Sequence, residues 1–236
     1  ERIRARVNDP QVAELLIPRD HGFGMRRMPM ETGYFEAYNR DNVRLVSLLD
    51  TPIERITRTG LQTSEESFDF DVLVYATGFD VMTGAFDKID IRGADGQKLK
   101  EKWQGSPTTY LGVMVNGFPN MLMVAGPQSV SGSTNYPRAI EVCVDWIGAL
   151  LEHARTAGLS RLEADVDAEN TWTQEVIDMQ EAMPFSKVKS WFTGFNANVQ
   201  AADAAPRYIA YWGGAPRYTR ILNRVASEGF RDINMD

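Results

Sequence analysis

Apolar and polar positions follow two different rhythms along these 236 residues, and each rhythm predicts its own kind of element. Short unbroken apolar runs bounded by turn residues occur at 72–75 (Val-Leu-Val-Tyr) and 121–125 (Met-Leu-Met-Val-Ala), and both predict buried strands. The first run lies within residues 68–80, Phe-Asp-Phe-Asp-Val-Leu-Val-Tyr-Ala-Thr-Gly-Phe-Asp, and loses side-chain bulk at Ala76, Thr77 and Gly78. Gly78 can adopt dihedrals closed to other residues, and open α/β sheets present ligands at the carboxyl ends of their strands. The turn is therefore a candidate dinucleotide contact, with a purely structural turn as the competing reading. Further strands are predicted over 43–48 and 207–212, with short polar-rich strands from 53 to 67 around Gly60. Residues 89–92 read as extended, followed by a turn at 93–96.

The helical rhythm is clearest from 138 to 157. There Ile140, Val144, Ile147, Leu151 and Ala154 recur at intervals of three or four, and Gly158 provides a stop. Residues 10–17 predict a short helix capped by Asp9, started by Pro10 and ended by Pro18. Asp167 or Asn170 is placed to cap another, carrying Trp172, Val176, Ile177 and Met179 toward Pro184, and 216–225 reads as a terminal helix ending near Gly229. The stretch 195–206 is rich in alanine and polar residues with few apolar anchors, which predicts a flexible connection. The mixture of strands and helices gives an α/β fold class, without internal repeats.

Composition narrows the function classes. An apolar fraction of 43% is ordinary for a globular chain, and 25 basic against 32 acidic residues give a net charge of −7, which argues against a nucleic-acid partner. Charge interrupts every apolar stretch well short of the roughly 20 residues needed to span a bilayer. Cys143 is the single cysteine, so no internal disulfide can form and a cytoplasmic setting is expected. His21 and His153 have no second histidine or cysteine at ligand spacing, so no metal site is expected. Ser129, Ser131 and Ser133 lack the Gly-x-Ser-x-Gly elbow of serine hydrolases. The methionines at 28, 30, 114, 121 and 123 read as core filling.

The Ala-Thr-Gly segment resembles that of flavin-dependent class B monooxygenases, and three further segments narrow the resemblance to Baeyer–Villiger monooxygenases. Phe-Gly-Met-Arg-Arg-Met-Pro-Met-Glu at 23–31 leads into Tyr-Asn-Arg-Asp-Asn-Val at 38–43. Trp-Gln-Gly-Ser-Pro-Thr-Thr-Tyr-Leu-Gly at 103–112 precedes Gly-Phe-Pro-Asn at 117–120 and Val-Ala-Gly-Pro at 124–127, and Ser-Trp-Phe-Thr-Gly follows at 190–194. Their order is that of the carboxyl-terminal part of the family. Neither the Gly-x-Gly-x-x-Gly motifs nor the Phe-x-Gly-x-x-x-His-x-x-x-Trp fingerprint is present, and both belong upstream in that family. The resemblance thus implies an α/β flavoprotein with two dinucleotide-binding domains. Residues 1–20 would end a helical insertion, 21–80 would complete the NADP-binding domain, and 81–236 would complete the FAD-binding domain. The missing amino-terminal segment would be a partner.

Site residues are carried over one by one. Paired arginines on a loop ordinarily form weak surface ion pairs. In the matching motif, however, a basic residue precedes an arginine essential for oxygen insertion, which assigns the catalytic role to Arg27 and contact with the NADP 2'-phosphate to Arg26. The family more often has lysine at the position of Arg26. A guanidinium can bind phosphate in a fork and can stabilise developing oxyanion charge without exchanging a proton. Trp191 matches a tryptophan that contacts the NADP ribose, with core packing as its alternative. Tyr136 matches a main-chain FAD contact, often methionine in the family, and Ala76, Thr77 and Gly78 lie in the FAD vicinity. Ser131, Gly132, Ser133 and Thr134 correspond to a loop that shapes substrate scope, with ordinary helix capping as the alternative. The implied activity is FAD- and NADPH-dependent oxidation of a small-molecule ketone by O2 to an ester or lactone. The rivals are an N- or S-oxygenating flavin monooxygenase and a noncatalytic binding fragment.

Overall fold

Asp9 accepts hydrogen bonds from the backbone N–H groups of Gln11 and Val12, and with Pro10 in the first turn this starts helix α1, Pro10–Leu15. The computed structural model describes residues 1–80, 82–130, 134–196, 200–201 and 203–236. The chain divides into a first unit, Glu1–Thr77, and a second, Gly78–Asp236.

In the first unit α1 is followed by a short helix α2, Tyr34–Ala37, and three antiparallel strands: β1 (Ile53–Ile56), β2 (Gly60–Thr63) and β3 (Ser67–Asp69), in the order β1-β2-β3. The polar strands expected around Gly60 are therefore present, and the reason for glycine is steric. A Cβ at position 60 would lie 1.9 Å from the Phe68 carbonyl oxygen of the neighbouring strand. The strands expected over 43–48 and 72–75 do not form. A strand needs a ladder partner and a layer to pack on, and these segments have neither in this unit. Val72 and Val74 are 76% and 78% exposed. Arginine–carboxylate pairs tie the unit together at its surface: Arg6 holds both Glu31 and Glu36, and Arg44 holds Glu66.

In the second unit, residues 89–98 form the expected extended segment and turn, closed by an antiparallel bridge between Arg92 and Lys98. After α3 (Leu99–Lys102) comes the 22-residue helix α4, Tyr136–Ala157. Asn135 caps α4 by accepting from Arg138 N–H, Pro137 sits in its first turn, and Gly158 ends it at φ 72°. Then follow β4 (Leu162–Ala164), α5 (Val166–Glu181), α6 (Ala215–Ser227) and β5 (Ile233–Met235), with β4 and β5 paired antiparallel. Because β5 lies beyond it, α6 is not the terminal element.

Three sequence expectations need correction here. The stripe that α4 buries is Ala139, Cys143, Trp146, Leu150 and Ala154; Ala154 lies where expected, but the other four are each one position back from the predicted stripe, so that Ile140, Val144 and Leu151 are exposed. The helix is apolar on more than one face, and periodicity alone could not choose between two adjacent rows. The cap of α5 is Asp165, which accepts from Asp167 and Ala168 N–H groups; Asp167 lies inside the first turn. The runs at 121–125 and 207–212 are not strands. At the first, Met123 donates one bond to the Val113 carbonyl and Ala125 turns to φ 52°, ending the extension. At the second, isolated bonds replace a ladder: Arg207 N–H donates to the Thr193 carbonyl, Gln128 N–H to the Ile209 carbonyl and Tyr211 N–H to the Ser129 carbonyl, with a single parallel bridge between Val130 and Tyr211.

The main core lies between α4, α5 and α6, with Trp172 stacked on Tyr211 at 4.9 Å. Polar ties are also buried there: Trp146 Nε1–H donates to the Leu222 carbonyl at 3.0 Å, and the Tyr218 hydroxyl donates to the Leu111 carbonyl at 2.6 Å. A smaller cluster gathers Leu99, Trp103, Val115, Phe118 and Met123. No helix among the described residues is long and apolar enough to cross a membrane.

Candidate functional site

The site begins with a loop that a buried polar network holds in an unusual shape. Gln128 sits at φ 65°, a left-handed conformation rarely taken by a residue with a side chain. Its buried carboxamide compensates. Oε1 accepts from Thr109 N–H at 3.0 Å, Thr109 Oγ1 at 2.9 Å and Thr173 Oγ1 at 3.3 Å, while Nε2 donates to the Pro107 carbonyl at 2.7 Å. Gly112 N–H in turn donates to Thr109 Oγ1 at 3.1 Å. Backbones pack so closely here that a Cβ at Gly112 would lie 2.5 Å from Ser129 N, and one at Gly126 would lie 2.7 Å from the Gly112 carbonyl oxygen. Residues 107–112 and 126–129 thus pack backbone to backbone into one shelf, which precedes α4 in the chain.

Tyr136 is the first residue of α4 and is partly exposed, with its hydroxyl 3.6 Å from Met82 Sδ. Partial burial raises the pKa of its phenol. Thr134 is half-buried, and Ser131, Gly132 and Ser133 lie outside the described residues. Gly78 opens the same unit at φ 83°, and a Cβ there would meet nothing within 4 Å. Two residues further, Asp80 pairs with Arg207 at 3.2 Å.

Trp191 starts a 3-10 turn, Trp191–Thr193, with Phe192 and Thr193 buried beneath it. The turn is fixed by a reciprocal cap in which the Ser190 hydroxyl accepts from Phe192 N–H and Thr193 Oγ1 accepts from Ser190 N–H. Trp191 packs on Phe192 with ring centroids 4.5 Å apart, yet 38% of it is exposed. The indole is thus held from one side and open on the other, so core packing does not account for all of it. Of the stretch 195–206, Asn196 N–H donates to Gln200 Oε1 at 2.7 Å, and residues 197–199 and 202 lie outside the described residues.

The first unit carries the other expected site residues. Arg26 pairs with Asp20 at 2.8 Å, and Asp20 is held below its usual carboxylate range by the hydrogen bond to His21, with Arg26 adding to the effect. Arg27, Ala76 and Thr77 are exposed. Among the described residues no group of three or more His, Cys, Asp or Glu side chains is placed to hold a metal ion.

Sequence reasoning passed over Gln128, Thr109 and Arg207. All three lie in or beside stretches it did single out, but their importance comes from pairings across 19 residues for Gln128 and Thr109 and 127 for Arg207 and Asp80, which no local pattern encodes.

No family model matches the chain. Individual relatives do. The chain is 37% identical over 235 residues to 2-oxo-Δ3-4,5,5-trimethylcyclopentenylacetyl-CoA monooxygenase of Pseudomonas putida, covering all of this chain and 43% of that protein. It is 33% identical over 236 residues to a Baeyer–Villiger monooxygenase of Pseudooceanicola batsensis, covering 100% and 42%. Among solved structures, OTEMO in complex with FAD and NADP superposes with a TM-score of 0.90 at 37% identity, over 100% of this chain and 42% of that one. Over its whole length the chain is thus similar to a carboxyl-terminal part of Baeyer–Villiger monooxygenases. It spans about 43% of the length of the curated relatives it matches. Its architecture is that of part of an α/β flavoprotein with two dinucleotide-binding domains, as the sequence led us to expect. A phenazine N-monooxygenase of Lysobacter antibioticus is also related, at 38% identity over 233 residues, covering 97% of this chain and 42% of that protein.

Proposed function

We propose that the complete enzyme to which this chain belongs catalyses FAD- and NADPH-dependent oxidation of a ketone by O2 to an ester or lactone. The observation that carries this reading is that the match to Baeyer–Villiger relatives runs through the whole chain. The residues present fit a flat dinucleotide. Gly78 offers backbone with open space on its side-chain face, Trp191 presents a half-exposed indole, and the shelf around Gln128 precedes in the chain a long helix, whose amino end favours electron-rich ligand groups.

When bound, FAD reduced by NADPH supplies the activated oxygen. The protein supplies position and charge. Arg27 is proposed as the catalytic residue, since a permanently charged guanidinium can stabilise oxyanion charge on the reacting ketone. Arg26 would hold the 2'-phosphate of NADPH; its pair with Asp20 is exposed to water, so a phosphate can compete for it. Trp191 would donate its indole N–H to the nucleotide, Ala76, Thr77, Gly78 and the main chain at Tyr136 would border FAD, and the loop 131–134 would shape the ketone pocket. Residues 1–20, 21–80 and 81–236 would complete a helical insertion, the NADP-binding domain and the FAD-binding domain. The rest of the enzyme would cover the apolar residues left exposed here. The compartment proposed is the cytoplasm, because the single cysteine, Cys143, allows no internal disulfide.

The phenazine relative favours a second reading, oxygenation of an aromatic nitrogen. The full-length enzyme, loaded with FAD and given NADPH and O2, should be offered a panel of cyclic and linear ketones beside an aromatic N-heterocycle. Ester or lactone carrying one oxygen from O2 supports the first reading. N-oxide with no ester from any ketone would replace it with the second.

A further inference from the structure

We propose that Arg207 is a positioning residue that locks the chain leaving Gly78 to the turn bearing Trp191, so that both nucleotide contacts of this unit are held in one geometry. The inference rests on the reading of Gly78 and Trp191 as cofactor contacts. Arg207 is 12% exposed, and its guanidinium spans two partners: Nη1 donates to Asp80 Oδ1 at 3.2 Å, and Nη2 donates to Thr83 Oγ1. Asp80 lies two residues after Gly78, and Thr83 is buried. On the other side, Arg207 N–H donates to the Thr193 carbonyl at 2.8 Å, two residues after Trp191. Its own carbonyl accepts from Gln180 Nε2 at 3.0 Å, which ties it to α5. The contact with the Trp191 turn is close: a Cβ at Gly194 would lie 2.7 Å from Arg207 Cβ.

One residue thus carries bonds to the exit of the Ala-Thr-Gly turn, to the Trp191 turn and to a core helix. A planar fork suits this task because it can hold a carboxylate and a hydroxyl at once, whereas lysine offers a single point charge. A displacement of Asp80 and Thr83 would be transmitted through Arg207 to residues 193–194, and binding at one contact would favour the bound arrangement of the other.

The test uses the full-length, FAD-loaded enzyme and measures NADP+ affinity by calorimetric titration, with FAD content and Tm recorded alongside. Arg207→Lys and Asp80→Asn should each weaken NADP+ about tenfold, the range of a typical coupling between sites. Thr83→Val should cost about threefold, as for one hydrogen bond. FAD content and Tm should stay near those of the parent enzyme. In a Trp191→Ala background, itself weakened for NADP+, Arg207→Lys should add less than about twofold, because its route is gone. An unchanged NADP+ affinity in Trp191→Ala overturns the assignment of Trp191, and the coupling with it. A loss in Trp191→Ala with parental affinity in Arg207→Lys and Asp80→Asn overturns the positioning role alone. Loss of FAD and a lowered Tm in Arg207→Lys, without a selective effect of Asp80→Asn on NADP+, makes Arg207 a folding residue and also overturns it.

Discussion

In residues 1–77 the buried positions are Val7, Ala13, Gly60 and Thr63, and much of the longer-range binding comes from exposed arginine–carboxylate pairs. In residues 78–236, twenty buried apolar side chains form one continuous cluster, and the Lys102–Glu169 pair is itself largely buried. Apolar side chains are not scarce in the first unit; Phe23, Met30, Leu49, Val72 and Val74 are simply uncovered. The second unit buries a core of its own, while the first leaves most of its large apolar side chains uncovered.

The largest expected effect contrasts neighbours on α4. Leu150→Ala should cost about 4 kcal/mol, as for a buried leucine that leaves a cavity. Leu151→Ala in this chain alone should stay within about 0.5 kcal/mol. In the full-length enzyme Leu151→Ala should instead cost about 1 kcal/mol or more, if the rest of the protein covers that face. Denaturant unfolding of both forms decides it, and equal small effects of Leu151→Ala in both would break the comparison.

A second contrast concerns charge. Glu169 accepts from Lys102 Nζ at 2.8 Å and from Asn116 N–H at 3.1 Å, so Glu169→Gln should destabilise by about 3 kcal/mol by leaving a mostly buried ammonium unpaired. Glu66→Gln, which removes the exposed partner of Arg44, should have a small effect that vanishes in 1 M salt. Thermal melts with and without salt distinguish the two.

The smallest effect is alkaline. Burial raises the pKa of Tyr110, with its bond to Asp232 adding to the effect, and burial pushes Tyr211 up to about 12. In the folded chain these phenols keep their protons while the unfolded chain releases them near pH 10, so the stability they contribute is complete below about pH 10 and is lost as pH rises above it. Tyr110→Phe should flatten that decline in the second unit. An unchanged slope would remove Tyr110 from the account.

How much of this was legible in the sequence follows the same division. Caps and stops were read well where one residue decides: Asp9 and Pro10 start α1, and Gly158 ends α4. The strands at 43–48 and 72–75 were misplaced because an apolar run states that a segment is to be covered, not by what, and no ladder partner is present in their unit. The rows of α4 were misassigned by one position because Ile140 and Ala139 begin equally plausible stripes, and only packing against Leu222 and its neighbours selects the second. β4 and β5 were missed as three-residue strands too short for any periodicity to register. Motif order pointed to the family correctly, whereas the supports of the site, Gln128 with Thr109 and Arg207 with Asp80, arise from contacts between distant segments.

The central claim is that a complete enzyme built on this chain inserts oxygen into a ketone with the help of Arg27. The direct measurement follows two quantities in the FAD-loaded full-length Arg27→Ala variant: flavin reduction by NADPH in stopped-flow absorbance, and ester formation from a ketone that the parent enzyme converts. The account predicts that reduction persists while ester falls by about a hundredfold or more, the usual consequence of losing one charge-stabilising group. Near-parental ester output from that variant would contradict it.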